Sequence, residues 1–509
     1  MGRNLTCLLN RSLRAAKPSL QPSPSLRISH IATRRAFADL KRPSTAPKPI
    51  IDIRHIRENP ELHEQNCLDR NYVSQSKSPA RINEIFAQWQ GLQKDSRAVR
   101  ERSNLLRRQI ANPSSSRDDA EFINIRRMTR DELLEEARVL KQKLSAVEQE
   151  EAKLVEEMET LALGIPNLTS GVTPIGDEPQ LLSYINEHPA EPASASDKVW
   201  RSHVHIGSEL GLLDFAAAGN TSGWGWYYLL DEAAQLEQAL IQYALAVATR
   251  HGWRQVAPPS VVYSHIASAC GFQPRDQNDE QQIYALAQSQ ADADRGKPEL
   301  CLAGTSEIPL AGMKADTTID SSELPMKRVA VSRCYRAEAG ARGASTKGLY
   351  RVHEFTKVEM FAWTSPDADE TVDVFEEMLD IQTEILGSLG LHCRILEMPT
   401  ADLGASAVRK CDIETFFPSR QQQNDGWGEV TSASICTDYQ TRRLATRAKI
   451  DGKLTFPWTV NGTALAVPRI VAALLEAGWN EQEMSVSIPA CLQPWMDGKE
   501  SIVRKTTSS

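Results

Sequence analysis

The chain has 509 residues, 41% hydrophobic and 24% charged, with a formal net charge of −8. That length exceeds one ordinary core, so two or three folded units are expected, and no apolar run approaches the roughly 18 residues that a membrane span requires. Nine cysteines without a C-x-x-C pair argue against a disulfide framework or a structural zinc knot and for a reducing compartment.

The first 42 residues hold nine Lys or Arg against the single acid Asp39. A basic, acid-poor, serine-rich start has the composition of a transit peptide, expected over 1–42; a disordered basic tail has the same composition. Residues 43–509 then carry 49 basic and 65 acidic side chains, a net −16. A body this acidic can meet nucleic acid only through local basic patches.

After the proline-rich joint RPSTAPKP, Ile82, Ile85, Trp89, Leu92, Val99, Leu106 and Ile110 fall on one 3-4 register, with Ser96 and Ser103 in its gaps. Leu133, Ala137, Leu140, Leu144, Val147, Leu154, Met158 and Leu161 keep a second register, interrupted by Glu151. NPSSSRDDAEF between them reads as a turn, so the pattern predicts an antiparallel coiled-coil hairpin within a domain over 50–165. ALGIPNL ends the second helix at Gly164 and Pro166. RAVRERSNLLRR carries five arginines and one glutamate, whereas residues 131–160 carry ten acids and four bases. Either the two faces neutralise each other across the hairpin, or some arginines point outward to phosphates.

From about residue 200 short apolar strands alternate with helical stretches, which predicts an α+β domain with an antiparallel sheet over 175–497, followed by a disordered tail, 498–509. Residues 276–298 are polar and read as a surface loop or mobile flap. Neither G-x-x-x-x-G-K-[ST] nor a G-x-G-x-x-G after a strand is present, so the two commonest nucleotide cradles are excluded. Four other places carry chemistry. TSE (305–307) puts a hydroxyl and a carboxylate past an apolar strand, and RAE (336–338) puts a cation and an anion on one parity. EVTSAS (429–434) offers the hard oxygen donors that magnesium takes. NGTALAVPR (461–469) reads as small residues opening a helix with Arg469 in its body, suited to an anion. Along GLYRVHEFTKVEMF, Arg351, His353, Phe355, Lys357 and Glu359 share one strand face, while Tyr350, Val352, Val358 and Met360 share the other.

TSE, then CYRAEAG and GLYRVHEFTKVEMF, then GEVTSASICTDYQTRR and VNGTALAVPRIVAALLE resemble, in that order, the core of class II aminoacyl-tRNA synthetases, and of seryl-tRNA synthetases in particular. DIRHIRENPE, SELGLLDF, DLGASAVRKCDIETFFPSR and VSIPACLQPWMDG extend the resemblance over residues 50–497. It implies activation of L-serine by ATP with Mg2+, transfer to tRNA(Ser), a homodimer paired around HGWRQVAPPSVV (251–262), and, with the leader, work in the mitochondrial matrix. By resemblance, Arg336 would bridge the serine carboxylate and the α-phosphate, Glu338 would take the adenine amino group, and Arg351 the γ-phosphate. Phe355 and Arg469 would flank adenine, with Val352, Val430 and Thr431 beside the nucleotide and Glu429 and Ser432 as magnesium positions. Thr305, Ser306, Glu307, Glu359, Asn461 and Thr463 would hold serine, Glu307 at its ammonium and Glu359 with Thr463 at its hydroxyl. Arg97, Arg100, Arg107 and Arg108 are the expected tRNA contacts. A catalytically degenerate relative that acts only as a binding or structural protein is the alternative.

Overall fold

The computed structural model of the chain describes residues 46–112, 124–125, 127–187, 201–272, 282–338, 348–421 and 423–504. The leader (1–42), the hairpin turn and most of the GARGASTKG stretch lie outside the described residues.

Two long helices follow from the two registers. Helix α1, Ser78–Ala111, has Pro79 in its first turn, where the missing N–H costs nothing. Helix α2, Arg130–Gly164, opens with a reciprocal capping box between Thr129 and Glu132, which satisfies two otherwise orphaned amides. Ile82, Ile85, Ser96, Ser103 and Leu106 of α1 are buried, as are Leu133, Leu144, Leu154 and Met158 of α2. The lapse at Glu151 is neutralised by Arg100, whose guanidinium donates to it at 2.6 Å. The seam forms two separate apolar clusters, one at the base with Ile82, Ile85, Leu154 and Met158 and one farther out around Leu106 and Leu133. At the base, Arg70 is 1% exposed and donates to the carbonyls of Asn167 and Gly404. The Asn167 amide donates in turn to Ser406 O (2.9 Å) and Cys436 O (2.8 Å). The Arg70 bonds are charge-assisted, and with those of Asn167 they tie the base of the hairpin to the second domain.

That domain is built on eight strands: β1 Gln180–Ile185, β2 Arg254–Val256, β3 Met326–Tyr335, β4 Glu354–Thr364, β5 Cys393–Glu397, β6 Arg409–Phe416, β7 Trp427–Thr437 and β8 Trp458–Ala466. Their order is β1-β5-β6-β7-β8-β4-β3-β2, antiparallel except for the parallel pair at the β2 edge. Helices α3 (Asp231–Arg250), α4 (Ala368–Ser388) and α5 (Val467–Ala477) bury Leu240, Phe375, Ile381 and Leu474 in one cluster with Val358 and Met360 of β4. The opposite parity of β4 is thereby left to the site.

Four expectations change. Strand β4 begins at Glu354, so Arg351 and His353 sit in the turn before it, and Tyr350 and Val352 line the cleft with Arg351. Asn461 and Thr463 lie on β8 and the helix starts only at Val467, because the small residues pack in the middle of the sheet. The tail is not wholly irregular: Ser501–Val503 pairs with Ser485–Ser487, held by Ile502, which is 2% exposed. Finally, the inner part of 276–298 is tied down. Ile283 is buried in an apolar cluster, Leu286 N–H bonds Leu300 O at 2.9 Å, and Gln290–Asp294 is helical behind the cap of Ser289.

Candidate active site

The cleft opens where two central strands part. Pairing between β7 and β8 ends at Ala433 with Gly462, and beyond it the Ser432 and Thr463 carbonyls take the two amide protons of Gln382, each at 2.9 Å. Gln382 comes from α4 beneath the sheet and is fully buried. It takes over from the ladder where the sheet splits, giving the Ser432 carbonyl a donor and the Thr463 carbonyl a second one besides the Thr431 hydroxyl. On the other side of β7, Asp412, Ile413 and Glu414 face Ser432, Thr431 and Glu429, leaving Val430 as a bulge. One extra residue turns Glu429 and Ser432 onto the same face, although simple alternation would part them.

The cleft gathers three arginines, Arg336, Arg351 and Arg469. Arg336 follows β3, its N–H on His353 O (2.9 Å) and its guanidinium 5.3 Å from the Phe355 ring centre. Arg351 Nε lies 3.6 Å from Glu338, whose backbone is left-handed at φ 48°, a conformation that costs a non-glycine residue about 1–3 kcal/mol. Arg469, in the first turn of α5, donates to Tyr350 O (3.1 Å) and Glu429 O (2.7 Å). Burial alone would raise the Glu429 carboxyl, but Arg469, Lys410 and Arg336 outweigh it and hold it well below the usual carboxylate range. Glu429 is therefore anionic and sits beside the Ser432 hydroxyl on one wall.

Behind the part of the cleft wall formed by Lys357 and Thr463 lies a closed cluster with two carboxylates, Glu307 and Glu359, which do not themselves line the cleft. Glu307, Glu359, Asn461 and Thr463 are all buried. Gln440 donates to Glu307 at 2.6 Å, and the Thr463 hydroxyl donates to Glu359 at 3.4 Å. Burial, with the Glu359 charge added, raises the Glu307 carboxyl to about 8, against the opposing pull of Lys357 and the amides of Gln440 and Asn461. Lys357, also buried, pairs with Glu359 and reaches the Thr463 hydroxyl (3.3 Å).

Of the expected site residues, Arg336, Glu338, Arg351, Val352, Phe355, Glu429, Val430, Thr431, Ser432, Thr463 and Arg469 line this one cleft. Ser306 does not reach it: its hydroxyl bonds Ser332 at 2.6 Å and is fully buried. Thr305 accepts the Glu307 N–H at 3.3 Å, and the Thr431 hydroxyl is bound to Thr463 O, so both support the wall with their side chains committed. Lys357, Gln440 and Gln382 were missed. Only Lys357 left a signal, by standing between Phe355 and Glu359 on the same strand parity. On the hairpin, Arg100 is committed to Gln93 and Glu151, Arg102 to Glu136, and Arg97 to Glu101 in its own helix. Arg107 and Arg108 are exposed and make no ion pair among the described residues.

Residues 50–169 match the family described as the seryl-tRNA synthetase N-terminal domain, and residues 286–478 the class II tRNA synthetase core domain (G, H, P, S and T). The mitochondrial serine–tRNA ligase of Saccharomyces cerevisiae is 41% identical over 369 residues, 72% of this chain and 78% of that one. Its namesake from Schizosaccharomyces pombe is 36% identical over 448 residues, 88% of each chain. The crystal structure of the Pyrococcus horikoshii seryl-tRNA synthetase complexed with ATP is 30% identical and aligns with a TM-score of 0.76, covering 90% of this chain and all of that one. With identity of this extent running through hairpin and sheet alike, the chain belongs to the seryl-tRNA synthetase family of class II aminoacyl-tRNA ligases.

Proposed function

We propose that this protein joins L-serine to ATP, releasing pyrophosphate, and passes the seryl group to the 3′ end of tRNA(Ser). The observation that carries the reading is a cleft that gathers Arg336, Arg351 and Arg469 and is backed at Lys357 and Thr463 by the buried cluster of Glu307, Glu359 and Asn461. In the first step a serine carboxylate oxygen attacks the α-phosphate and the bond to pyrophosphate breaks. Both reactants are anions, so the protein's part is to hold them in line and neutralise the charge that develops. Arg336 does this at the α-phosphate, Arg351 at the far end of the chain of phosphates, and Phe355 and Arg469 enclose the base. Glu307 takes the serine ammonium. Glu359 and Thr463 take its hydroxyl, so that alanine leaves buried polar groups unpaired and is rejected.

The anionic Glu429 and the neighbouring Ser432 hydroxyl fit magnesium, which takes one or two protein oxygens and completes its shell with phosphate and water. Bound there, the ion would offset triphosphate charge. The related archaeal structure is a complex with ATP, which supports the same ligand here. A catalytically degenerate relative would have no use for Arg336, Glu338, Arg351, Glu359 and Arg469 in one constellation.

Arg107 and Arg108, with Arg97, are proposed to meet tRNA phosphates; Arg100 serves the seam instead. The β2 edge, which ends the sheet, lies in the segment proposed to pair two copies. The names of the yeast relatives and the basic leader over 1–42 support work in the mitochondrial matrix.

Serine-dependent exchange of labelled pyrophosphate into ATP tests the reaction. A pH prediction tests the pocket. Since the Glu307 carboxyl is raised to about 8, it is protonated at lower pH and cannot pair with an ammonium. The KM for serine is therefore expected to fall about tenfold per pH unit up to about 8 and then level off, with no such slope in Glu307→Gln. A flat profile in the unmodified protein contradicts this. The same raised value means that the folded state holds the proton more tightly than the unfolded chain, so this group's contribution to stability declines as pH rises from 4.5 to about 8.

A further inference from the structure

The turn that carries Arg351 has no helix or strand of its own from Gly348 to His353, yet it is gripped from two directions. On one side Arg469 donates to Tyr350 O (3.1 Å). On the other, the Leu349 N–H is donated to His203 Nε2 at 3.1 Å, in a buried setting. His203 starts a short helix, His203–Glu209, 146 residues away in sequence. Its ring is itself fixed, because Nδ1 lies 2.7 Å from Glu476 Oε1 and its backbone N–H reaches the same oxygen at 3.0 Å. Nε2 must be bare to accept an amide proton, so Nδ1 carries the hydrogen and donates it to Glu476. Ser419 adds its N–H (3.2 Å) and hydroxyl (2.8 Å) to that carboxylate. Burial opposes the Glu476 charge, and the bonds from His203 overcome it and keep the group ionised below its usual range. Arg469 and Glu476 stand seven residues apart on α5, on the same face. One helix thus holds the turn at Tyr350 directly and at Leu349 through the imidazole. Gly348, at φ +75°, lets the ring approach, since a Cβ there would run into it.

We infer that His203 is a positioning residue for Arg351: it fixes the Leu349 amide and so aims the arginine at the terminal phosphate. This rests on the reading of the cleft as an ATP site. Two isosteres separate the ring's contacts. In His203→Asn the amide can still donate to Glu476 but cannot reach Leu349, while in His203→Gln the side-chain oxygen reaches about where Nε2 was and the Glu476 bond is lost. With purified full-length protein in serine-dependent pyrophosphate exchange, His203→Asn is expected to raise the KM for ATP about tenfold, the effect of one orphaned buried donor. His203→Gln is expected to stay within about threefold, and the KM for serine within about twofold in both. In an Arg351→Ala background, His203→Asn adds nothing further to the KM for ATP, because the two residues act as one unit. Equal effects of Asn and Gln, equal rises in both KM values, or an undiminished effect without Arg351 would each overturn the inference in favour of a purely structural role. Absence of exchange in the unmodified protein would instead reject the ATP-site reading on which it rests.

Discussion

Replacing Arg336 by alanine is expected to lower kcat/KM for serine-dependent pyrophosphate exchange by about 10²–10³-fold or more, the scale seen when one preorganised group facing developing transition-state charge is removed. The protein should fold as before. The structural work at this position is done by the backbone, whose N–H bonds His353 O and whose carbonyl lies 3.1 Å from His353 Nδ1; alanine keeps both. The guanidinium is aimed into the cleft over Phe355, in the slot lined also by Arg351 and Arg469. Lysine should recover only part of the rate, since an ammonium supplies charge without the planar fork that can hold a carboxylate and a phosphate oxygen together. Melting temperature and exchange, measured on the same preparations, separate the two effects. Exchange within about tenfold of the parent, with folding intact, would remove Arg336 from the chemistry.

Deleting the outer hairpin, residues 94–150, and closing the gap with a short glycine-serine link is expected to leave exchange within about twofold and to reduce serylation of tRNA at least about 100-fold. Helix α1 has 34 residues, a length of about 50 Å, so its tip stands about that far from its own base at Ile82. The deletion takes away the outer cluster around Leu106 and Leu133 and spares the base cluster of Ile82, Ile85, Leu154 and Met158. Arg70 and Asn167, which bind the base to the sheet domain, are also untouched. What disappears is the surface with Arg107 and Arg108, which are exposed and make no ion pair among the described residues. Losing their contacts should weaken binding and flatten its salt dependence. Equal loss of exchange and serylation would contradict a tRNA role for the arm and point to a structural one.

The hairpin was legible because its signal is local and periodic: the seam follows from a 3-4 register, and even the lapse at Glu151 resolves into a pair with Arg100. The site was legible as motifs in order, since Arg336, Phe355, Glu429 and Arg469 each lie in a short recognisable run. What could not be read depended on pairing between distant segments. Val430 bulges only because β6 and β7 meet in a particular register, and that bulge brings Ser432 to the Glu429 face. Gln382 and Gln440 support the cleft from elements that show no motif at all. Arg351 was placed on the strand because alternation carried through the sequence beyond the point where β4 actually starts. Ser306 was included with its neighbours, yet a strand residue, Ser332, takes its hydroxyl into the core.

The buried acidic cluster and the cationic cleft are proposed to work together on serine and ATP. Exchange of labelled pyrophosphate into ATP by the purified protein, with serine, alanine, threonine or no amino acid, tests it most directly. Exchange is expected to depend on serine and to fall at least about 100-fold with alanine, because buried partners of the missing hydroxyl go unpaired. Exchange equal for serine and alanine, or absent with serine, would contradict it.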